Sequence, residues 1–443
     1  MSNTYKNSIA YWLLAVTVAV TFCGCEKSPV PEFRLNEVEV LKQEKASLDE
    51  GEHFPDSYRD EVQAVLLSLF GTPDDPKFPY LEGEDDEAHE FISFDDLKWA
   101  AGRVHSDREG RPISGLYREH CAHCHGIAGS GAGPTAGFLN PYPRDFRQSK
   151  FKFKSTKLRR SPTDDDMHRI LREGIPGTAM PSFRTLPDEE IVALANYVKY
   201  LTMRGQLERM LIAEISSMDD EPLLDISHAG ENDLVTMLLK IEDGDWKEEP
   251  NEDEEFFEEQ LDYIVNELFL ENTLARWSET EGTETPVPDV PESLAPGSAE
   301  NEQLVAAGRE LFFGRGNCAQ CHGETAMGDG QTANYDDWTN DWIKSAGVDP
   351  TDKTTYKDFL AAGALKPRAI RPRNLRLPVY RGGGRPEDLY RRIKNGIEGT
   401  PMPAGATLTS EEVWALVAYV KWLPYENAGQ QTPKLVNNKA IAR

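Results

Sequence analysis

Residues 121–125 read CAHCH, and the same pattern returns as CAQCH at residues 318–322. Two cysteines three positions apart, followed at once by a histidine, have the spacing of covalent haem attachment. In that chemistry both cysteines form thioethers and the histidine is an axial ligand of the iron. The candidate residues are Cys121, Cys124 and His125 in the first copy and Cys318, Cys321 and His322 in the second. A zinc hook or a redox-active cysteine pair is the alternative for a single copy, and the duplication argues against both.

A methionine in a loop of glycine and proline follows each copy. GIPGTAMP at residues 174–181 recurs as GIEGTPMP at residues 396–403. Such a rigid loop can present the sulfur of Met180 or Met402 to an iron that a histidine already holds. Isolated methionines usually fill gaps in a core, but these two stand in matching loops downstream of matching histidines. The loops therefore predict methionine as the second axial ligand in each unit.

A terminal helix is predicted after each loop, over residues 186–201 and 408–423. On the haem motif, the methionine loop and this helix, each unit resembles a class I c-type cytochrome, and the chain resembles a di-haem cytochrome c over about half its length. The resemblance implies an all-α fold of two tandem class I cytochrome c-like haem domains, joined by an acidic, partly helical segment. It also implies two covalently bound haems c as cofactors.

Further residues follow from the resemblance. A helix carrying Leu116 and Tyr117 is expected to cross the terminal helix of the first unit, at Ala193, Leu194, Tyr197 and Val198. The Pro134 carbonyl is expected to accept the proton on the ring nitrogen of His125 and so to fix the tautomer that ligates iron. Gln331 stands where this proline would fall in the second unit, which puts the rigidity of that loop in question.

Two similar arginine segments lie between the haem motif and the methionine loop, PRDFR at residues 143–147 and RPRNLR at residues 371–376. Guanidinium groups suit carboxylates, so these arginines are candidate partners of the haem propionates. The candidates are Arg144, Arg147, Arg373 and Arg376. Ordinary solvated surface arginines are the alternative.

The length of 443 residues predicts two or three domains. Much of the formal charge of -28 falls in residues 205–300, which hold 28 acidic and 4 basic side chains. The predicted order is a signal peptide over 1–25, an acidic tether or cap over 26–110, a first haem domain over 111–204, an acidic helical segment and linker over 205–300, a second haem domain over 301–426 and a polar tail over 427–443.

Helical spacing of apolar residues predicts a helix from Arg59 to Phe70 in the N-terminal segment and two or three helices in the acidic segment, before a linker over residues 279–300. The second unit carries an insertion of 25 residues between Tyr335 and Arg368, relative to the first. Four aromatic side chains make this insertion apolar enough to pack over a haem edge: Trp338, Trp342, Tyr356 and Phe359.

The N-terminus predicts export. An apolar run from Ile9 to Phe22 is shorter than the roughly 20 residues that span a bilayer, which favours a signal peptide. Gly24 before Cys25 resembles a lipoprotein cleavage site, with lipid on Cys25; an ordinary secretory signal is the alternative. Both place the protein in a periplasm or on the outer face of a membrane.

The function that follows is electron transfer, because an iron that holds both histidine and methionine has no open position for a substrate. The alternatives are a di-haem peroxidase, which GRELFF at residues 308–313 faintly resembles, and a cytochrome subunit of a dehydrogenase or respiratory complex. Expected partners are redox proteins, with a membrane respiratory complex or oxidase among the candidates, and a membrane surface through Cys25. The basic run from Lys150 to Arg160 predicts a docking patch for an acidic partner or for the acidic segment of the chain itself; an exported haem protein excludes nucleic acid as its target.

Overall fold

A computed structural model describes residues 32–49, 51–78, 92–102, 105–106, 112–113, 115–216, 259–330 and 334–426. The predicted signal peptide with Cys25 and the predicted polar tail lie outside these residues. So does the middle of the predicted acidic segment, around Leu234, where one of its helices is expected. Gln331, in the glycine loop of the second unit, also lies outside them.

The all-α class is confirmed in the described part of the chain. A two-residue antiparallel ladder joins His105–Ser106 to Pro112–Ile113. The helices up to residue 216 are α1 Glu37–Ser47, α2 Asp56–Phe70, α3 Phe94–Ala100, α4 Leu116–His120, α5 Ala122–His125, α6 Asp164–Glu173 and α7 Asp188–Ile215. A π-helical segment Tyr263–Leu274 continues as α8 Ala275–Ser278, followed by α9 Ala299–Phe313, α10 Ala319–His322, α11 Asp337–Ala346, α12 Lys353–Ala361, α13 Pro386–Asn395 and α14 Ser410–Trp422. Within these ranges no helix has both the length and the apolar character that a membrane span requires.

The terminal helix α7 is the core element of the first haem domain. Its residues Ile191, Leu194 and Leu201 are fully buried, and burial of each such side chain contributes about 1.5–3 kcal/mol. The ring of Tyr197 packs on that of Tyr117 in α4 with centroids 5.0 Å apart. The predicted crossing of these two helices is therefore confirmed.

Helix α7 extends well beyond the predicted haem domain. Leu207 and Leu211, which the sequence analysis assigns to the acidic segment, are fully buried on the same helix. Because the helical periodicity of apolar residues continues without a break, residue 204 lies inside a helix and is not a domain boundary. The start of the acidic segment is thus part of the first core.

The described N-terminal residues pack against α7. The predicted helix from Arg59 to Phe70 is confirmed as α2, and the ring of Phe70 lies 5.7 Å from that of Tyr200 on α7. The Tyr200 hydroxyl donates to the Phe70 carbonyl, and Asn196 on α7 donates to Asp96 on α3 at 2.8 Å. These contacts make one continuous hydrophobic core of α2, α3, α4 and α7.

The second haem domain has the same helix crossing, built more tightly. Helix α9 meets α14 at Gly308, where a Cβ would lie 1.9 Å from the carbonyl oxygen of Ala415. Beside this point the rings of Phe312 and Tyr419 pack edge to face at 5.3 Å. Only glycine allows so close an approach of two helix backbones.

The insertion of the second domain forms α11 and α12 and a small core of its own. The rings of Trp342 and Phe359 stack at 4.6 Å, and Val38 and Leu41 of α1 pack against them. An ion pair from Lys42 to Asp341, at 3.1 Å, ties α1 to α11. The insertion therefore contacts the N-terminal segment. It also contacts the first haem domain, because the ring of Trp338 packs against that of Tyr142.

The predicted linker over residues 279–300 also packs on the haem domains. The amide of Thr285 donates to the Ser155 carbonyl at 2.9 Å, and its hydroxyl donates to Asn395 at 2.8 Å. The Asn395 amide in turn donates to the Thr156 carbonyl at 3.2 Å. The linker thus joins the two haem domains through hydrogen bonds as well as through the chain.

We expect Gly308→Ala to lower the melting temperature of the holoprotein. The added methyl group would force α9 and α14 apart at a cost of about 1–3 kcal/mol, against a gain of about 1 kcal/mol in helix propensity. Gly137→Ala is the matched control, since a Cβ at Gly137 meets no atom within 4 Å. Thermal unfolding followed by circular dichroism measures both, and equal melting temperatures for the two variants would show that the crossing tolerates a side chain.

Candidate haem-binding sites

Each haem motif folds as a single helical turn. The amide of His125 donates to the Cys121 carbonyl at 2.9 Å, and that of His322 donates to the Cys318 carbonyl at 2.9 Å. This turn places both cysteine thiols and the histidine ring along one short segment, which is the arrangement that two thioethers and one axial bond require. None of these four cysteines forms a disulfide, so all four are available for thioethers.

The glycine-rich loop that follows each motif, after His125 and after His322, contacts that motif in the same way in both units. The Gly131 amide donates to the His125 carbonyl at 2.8 Å, and Gly328 donates to His322 at 2.9 Å. A Cβ on Gly133 would lie 2.6 Å from the His123 carbonyl oxygen, and one on Gly330 would meet carbonyl oxygens of the second motif at 2.4 to 2.6 Å. Gly131 and Gly133 therefore correspond to Gly328 and Gly330, and close backbone packing explains why glycine stands at these positions.

The ring of each histidine is held by an arginine carbonyl. His125 Nδ1 lies 2.9 Å from the carbonyl oxygen of Arg144, and His322 Nδ1 lies 3.1 Å from that of Arg373. Nδ1 is thus the nitrogen that carries the proton, and Nε2 is left to bind iron. The prediction that the Pro134 carbonyl accepts this hydrogen bond is wrong.

The path of the chain explains the correction. Residues 143–145 cross directly over Gly131, where a Cβ would lie 2.7 Å from the Pro143 carbonyl oxygen. The amide of Phe146 donates to the Gly129 carbonyl at 2.8 Å and fixes this crossing. The arginine segment, and not the end of the glycine loop, therefore reaches the histidine ring.

The environment of His125 favours the neutral imidazole. Burial lowers its pKa to about 4, against a smaller opposing effect of the hydrogen bond to the Arg144 carbonyl. The ring of Phe146 stacks on the imidazole, with centroids 4.5 Å apart and planes 13° from parallel. A neutral ring with a fixed tautomer is the form that ligates iron.

The two methionine loops have one hydrogen-bond pattern. In the first, the Met180 amide donates to the Thr178 hydroxyl at 3.1 Å, and its carbonyl accepts from the Ile175 amide at 3.2 Å. The second repeats both bonds: Met402 N to Thr400 Oγ1 at 3.2 Å and Ile397 N to Met402 O at 3.2 Å. Both methionines are half-buried.

A glycine with positive φ opens each of these loops, at the end of the preceding helix. Gly174 has φ +66° and Gly396 has φ +74°, which L side chains rarely adopt. A Cβ on Gly174 would lie 2.5 Å from the carbonyl group of Pro181, directly after the methionine. The chain thus closes on itself at this point and fixes the position of the sulfur-bearing residue.

The four candidate propionate partners have protein acceptors for their side chains. Arg144 donates to Asp337, Arg147 to Asp145, Arg373 to the Val379 carbonyl, and Arg376 to Glu426 and the Thr325 carbonyl. The Arg147 and Asp145 pair is bidentate, with both distances at 3.0 Å. Binding of these arginines to propionates stays a prediction.

Part of the predicted basic docking patch faces the second haem domain. The Lys154 ammonium pairs with Glu398 in the Met402 loop, and the lysine side chain is only 4% exposed. Burial, and less strongly the charge of Arg144, lower the pKa of Lys152 to about 8. Lys157, Arg159 and Arg160 are exposed. The basic run is therefore divided between an internal contact and a smaller outer surface.

The donor set of each unit fits a covalently attached haem c. Two thiols, one histidine nitrogen and one methionine sulfur come from segments that the backbone holds in matching conformations. When bound, such a haem supplies one-electron redox chemistry, and the protein sets its ligands and surroundings.

Three contributions to these sites could not be predicted from the sequence. The acceptor carbonyls of Arg144 and Arg373 carry no side-chain signal, although the repeated Pro-Arg pair marks their position. The stacking of Phe146 on His125 has no equivalent in the second unit, where Leu375 occupies that place. The contact between Arg144 and Asp337 joins residues from two domains and has no local signature.

Two family models match the parts of the chain that carry the haem motifs. A family model described as cytochrome c oxidase, cbb3-type, subunit III matches residues 108–198, and one described as cytochrome c matches residues 305–424. No curated protein matches the chain. A solved structure of the reducing HAO-like protein complex of Kuenenia stuttgartiensis is similar at 22% identity and a TM-score of 0.39, over 70% of this chain and 93% of that chain.

Two cytochrome c domains in tandem, each with its own cysteine pair and histidine, imply two covalent haems c. The first domain is similar to the oxidase subunit and the second to cytochrome c itself. The chain therefore belongs to the c-type cytochromes and is a di-haem cytochrome c.

Proposed function

We propose that this di-haem cytochrome is an electron carrier whose two irons are both ligated by histidine and methionine, His125 with Met180 and His322 with Met402. With both axial positions filled, an iron exchanges electrons without binding a substrate, and methionine raises its potential into the range of electron carriers. The carrier accepts electrons from one redox protein and passes them to another.

The matching methionine loops are the observation that carries this proposal. Both are opened by a glycine with positive φ, and both hold the methionine by a threonine hydroxyl and an isoleucine amide. Two loops of this kind, each downstream of a histidine with a fixed tautomer, support the same ligation at both irons.

A peroxidase is the second candidate, and the methionine loops argue against it. Such an enzyme needs one iron that can lose its sixth ligand and bind peroxide. The resembling segment at residues 308–313 lies in α9, where Gly308 and Phe312 serve the helix crossing. Packing accounts for this segment without any reference to peroxidase chemistry.

Contacts between the two domains support electron transfer within one chain. A Cβ on Gly177, in the Met180 loop, would lie 3.4 Å from Val379 and 3.7 Å from the Arg373 guanidinium of the second domain. Glu398, in the Met402 loop, pairs with Lys154 of the first domain. Both ligand loops therefore touch the opposite domain, which favours a short path between the haems.

The partners that fit this carrier are exported or membrane-bound redox proteins. The first domain is similar to a subunit of an oxidase, which makes a respiratory complex a reasonable acceptor or host. Exposed Lys157, Arg159 and Arg160 can attract an acidic partner and raise its association rate, with strong dependence on salt. Export, and anchoring through lipid on Cys25, rest on the N-terminal sequence alone.

Met180→Ala and Met402→Ala should each abolish about half of the red-region charge-transfer absorption from methionine sulfur to ferric iron, because each removes one of two equivalent ligands. Met327→Ala is the control, since this methionine is 52% exposed in the glycine loop of the second domain. Visible spectra of the oxidised holoproteins provide the measurement. A wild type without the band, or one that reacts rapidly with peroxide, contradicts the carrier proposal.

Cys25→Ser should release soluble protein when it is expressed in the native host, because the lipid that anchors the chain can no longer be attached. Cys23→Ser is the matched control and should leave the protein on the membrane. Fractionation of cells followed by immunodetection compares the two. Unchanged membrane retention of Cys25→Ser points instead to an uncleaved helix or to a tight membrane partner.

A further inference from the structure

One carboxylate lies between the ligand segments of the two haems. Asp337, the first residue of α11 in the insertion, accepts from Arg144 Nη1 at 3.0 Å. The same Oδ2 atom lies 2.8 Å from the point that a Cβ on Gly399 would occupy, and Gly399 is three residues before Met402. The Asp337 side chain is 7% exposed.

Arg144 connects this carboxylate to the first histidine. Its carbonyl oxygen accepts from His125 Nδ1, and its side chain reaches Asp337 in the other domain. Fixing the guanidinium therefore limits the movement of the carbonyl on the same residue. Hydrogen bonds to the second nitrogen of a ligating histidine set its orientation and its basicity.

The surroundings of Asp337 favour its ionised form. Burial alone raises the pKa of Asp337, but the charge of Arg144, with those of Lys152 and Lys150, outweighs burial, and the net direction is downwards. The position at the first turn of α11 adds the favourable field of a helix N-terminus. A charge-assisted pair in such a buried place is stronger and more rigid than one in water.

The second domain makes the reciprocal contact. The Arg373 carbonyl accepts from His322 Nδ1, and the Arg373 guanidinium lies beside Gly177 in the Met180 loop. In both directions, the residue that holds the histidine of one haem reaches the other domain. The contact from the first domain includes an ion pair between Arg144 and the largely buried carboxylate of Asp337; the Arg373 guanidinium instead donates to the Val379 carbonyl at 3.0 Å.

We propose that Asp337 is a positioning residue for both haems: through Arg144 it fixes the hydrogen bond to His125, and through its contact with Gly399 it supports the Met402 loop. The proposal rests on the ligation described under the proposed function. Loss of the ion pair should alter the reduction of the first haem and its ligand geometry together.

The matched comparison is Asp337→Asn against Asp336→Asn. Both remove one carboxylate with little exposure at the start of α11, 8% for Asp336 and 7% for the Asp337 side chain. At the N-cap position of Asp336, asparagine caps a helix as well as aspartate does. Asp336 does not contact Arg144; its Oδ1 accepts from the Thr339 amide at 3.2 Å. Because burial raises the pKa of Asp336 to about 6, the comparison is made at a pH near 8, where both carboxylates are charged.

The measurements are a potentiometric titration and the proton NMR spectrum of the haem methyl groups in the oxidised holoprotein. Asp337→Asn should change the equilibrium constant for reduction of the first haem by about fivefold, the effect of replacing a charge-assisted hydrogen bond from Arg144 by a neutral one. It should also shift the methyl resonances of that haem, whose spread reports the ligand orientation. Asp336→Asn should leave the resonances unchanged.

Equal effects of the two substitutions would overturn the proposal, since they would reflect only the loss of a negative charge. If Asp337→Asn does not fold, Arg144→Lys keeps the positive charge but replaces the rigid guanidinium, whose Nη1 donates to Asp337, by a flexible ammonium. It should shift the same resonances, and unchanged resonances overturn the proposal. The methionine charge-transfer band of the wild type tests the proposed ligation separately, because this comparison reads the histidine side of the first haem.

Discussion

The hydrogen bond between a histidine ring and an arginine carbonyl is the constraint on which both haem sites depend. It occurs twice, from His125 to Arg144 and from His322 to Arg373, at 2.9 and 3.1 Å. To make it, the arginine segment must cross the glycine loop, and the loop must lack side chains at the crossing. The repeated glycines, the Pro-Arg pair and the histidine therefore act together: they fix the proton on Nδ1 and leave Nε2 to ligate the iron.

Two differences between the units occur where the domains touch. Pro176 of the first methionine loop is replaced by Glu398 in the second, and this glutamate pairs with Lys154. The insertion supplies Asp337 for Arg144 and packs on α1. A chain of polar contacts thus ties the N-terminal segment, the first domain and the second domain together, so that the two redox centres belong to one body and not to two units on a flexible linker.

The haem motifs, the methionine loops and helix α2 could be predicted because each rests on local spacing or on a repeated pattern. The helix crossing of the first unit was implied by the resemblance to class I c-type cytochromes. The carbonyl acceptor of His125 could not, since a backbone oxygen has no residue type and its position depends on how two loops cross. The length of α7 was hidden by the change to acidic composition at residue 205, although the apolar periodicity continued through Leu207 and Leu211. The burial of Lys154 and its ion pair with Glu398 could not be predicted either, because they depend on the contact between the two domains.

The proposed function requires that both irons have histidine and methionine as axial ligands, so that neither has an open coordination position. Near-infrared magnetic circular dichroism of the oxidised wild-type holoprotein tests it most directly, because low-spin ferric haem with these two ligands has a charge-transfer transition distinct from that of other ligand pairs. Ligation of both irons by histidine and methionine predicts this transition alone, with an intensity of two haems per chain. A high-spin ferric component, or a transition of half that intensity beside another ligand pair, would contradict it.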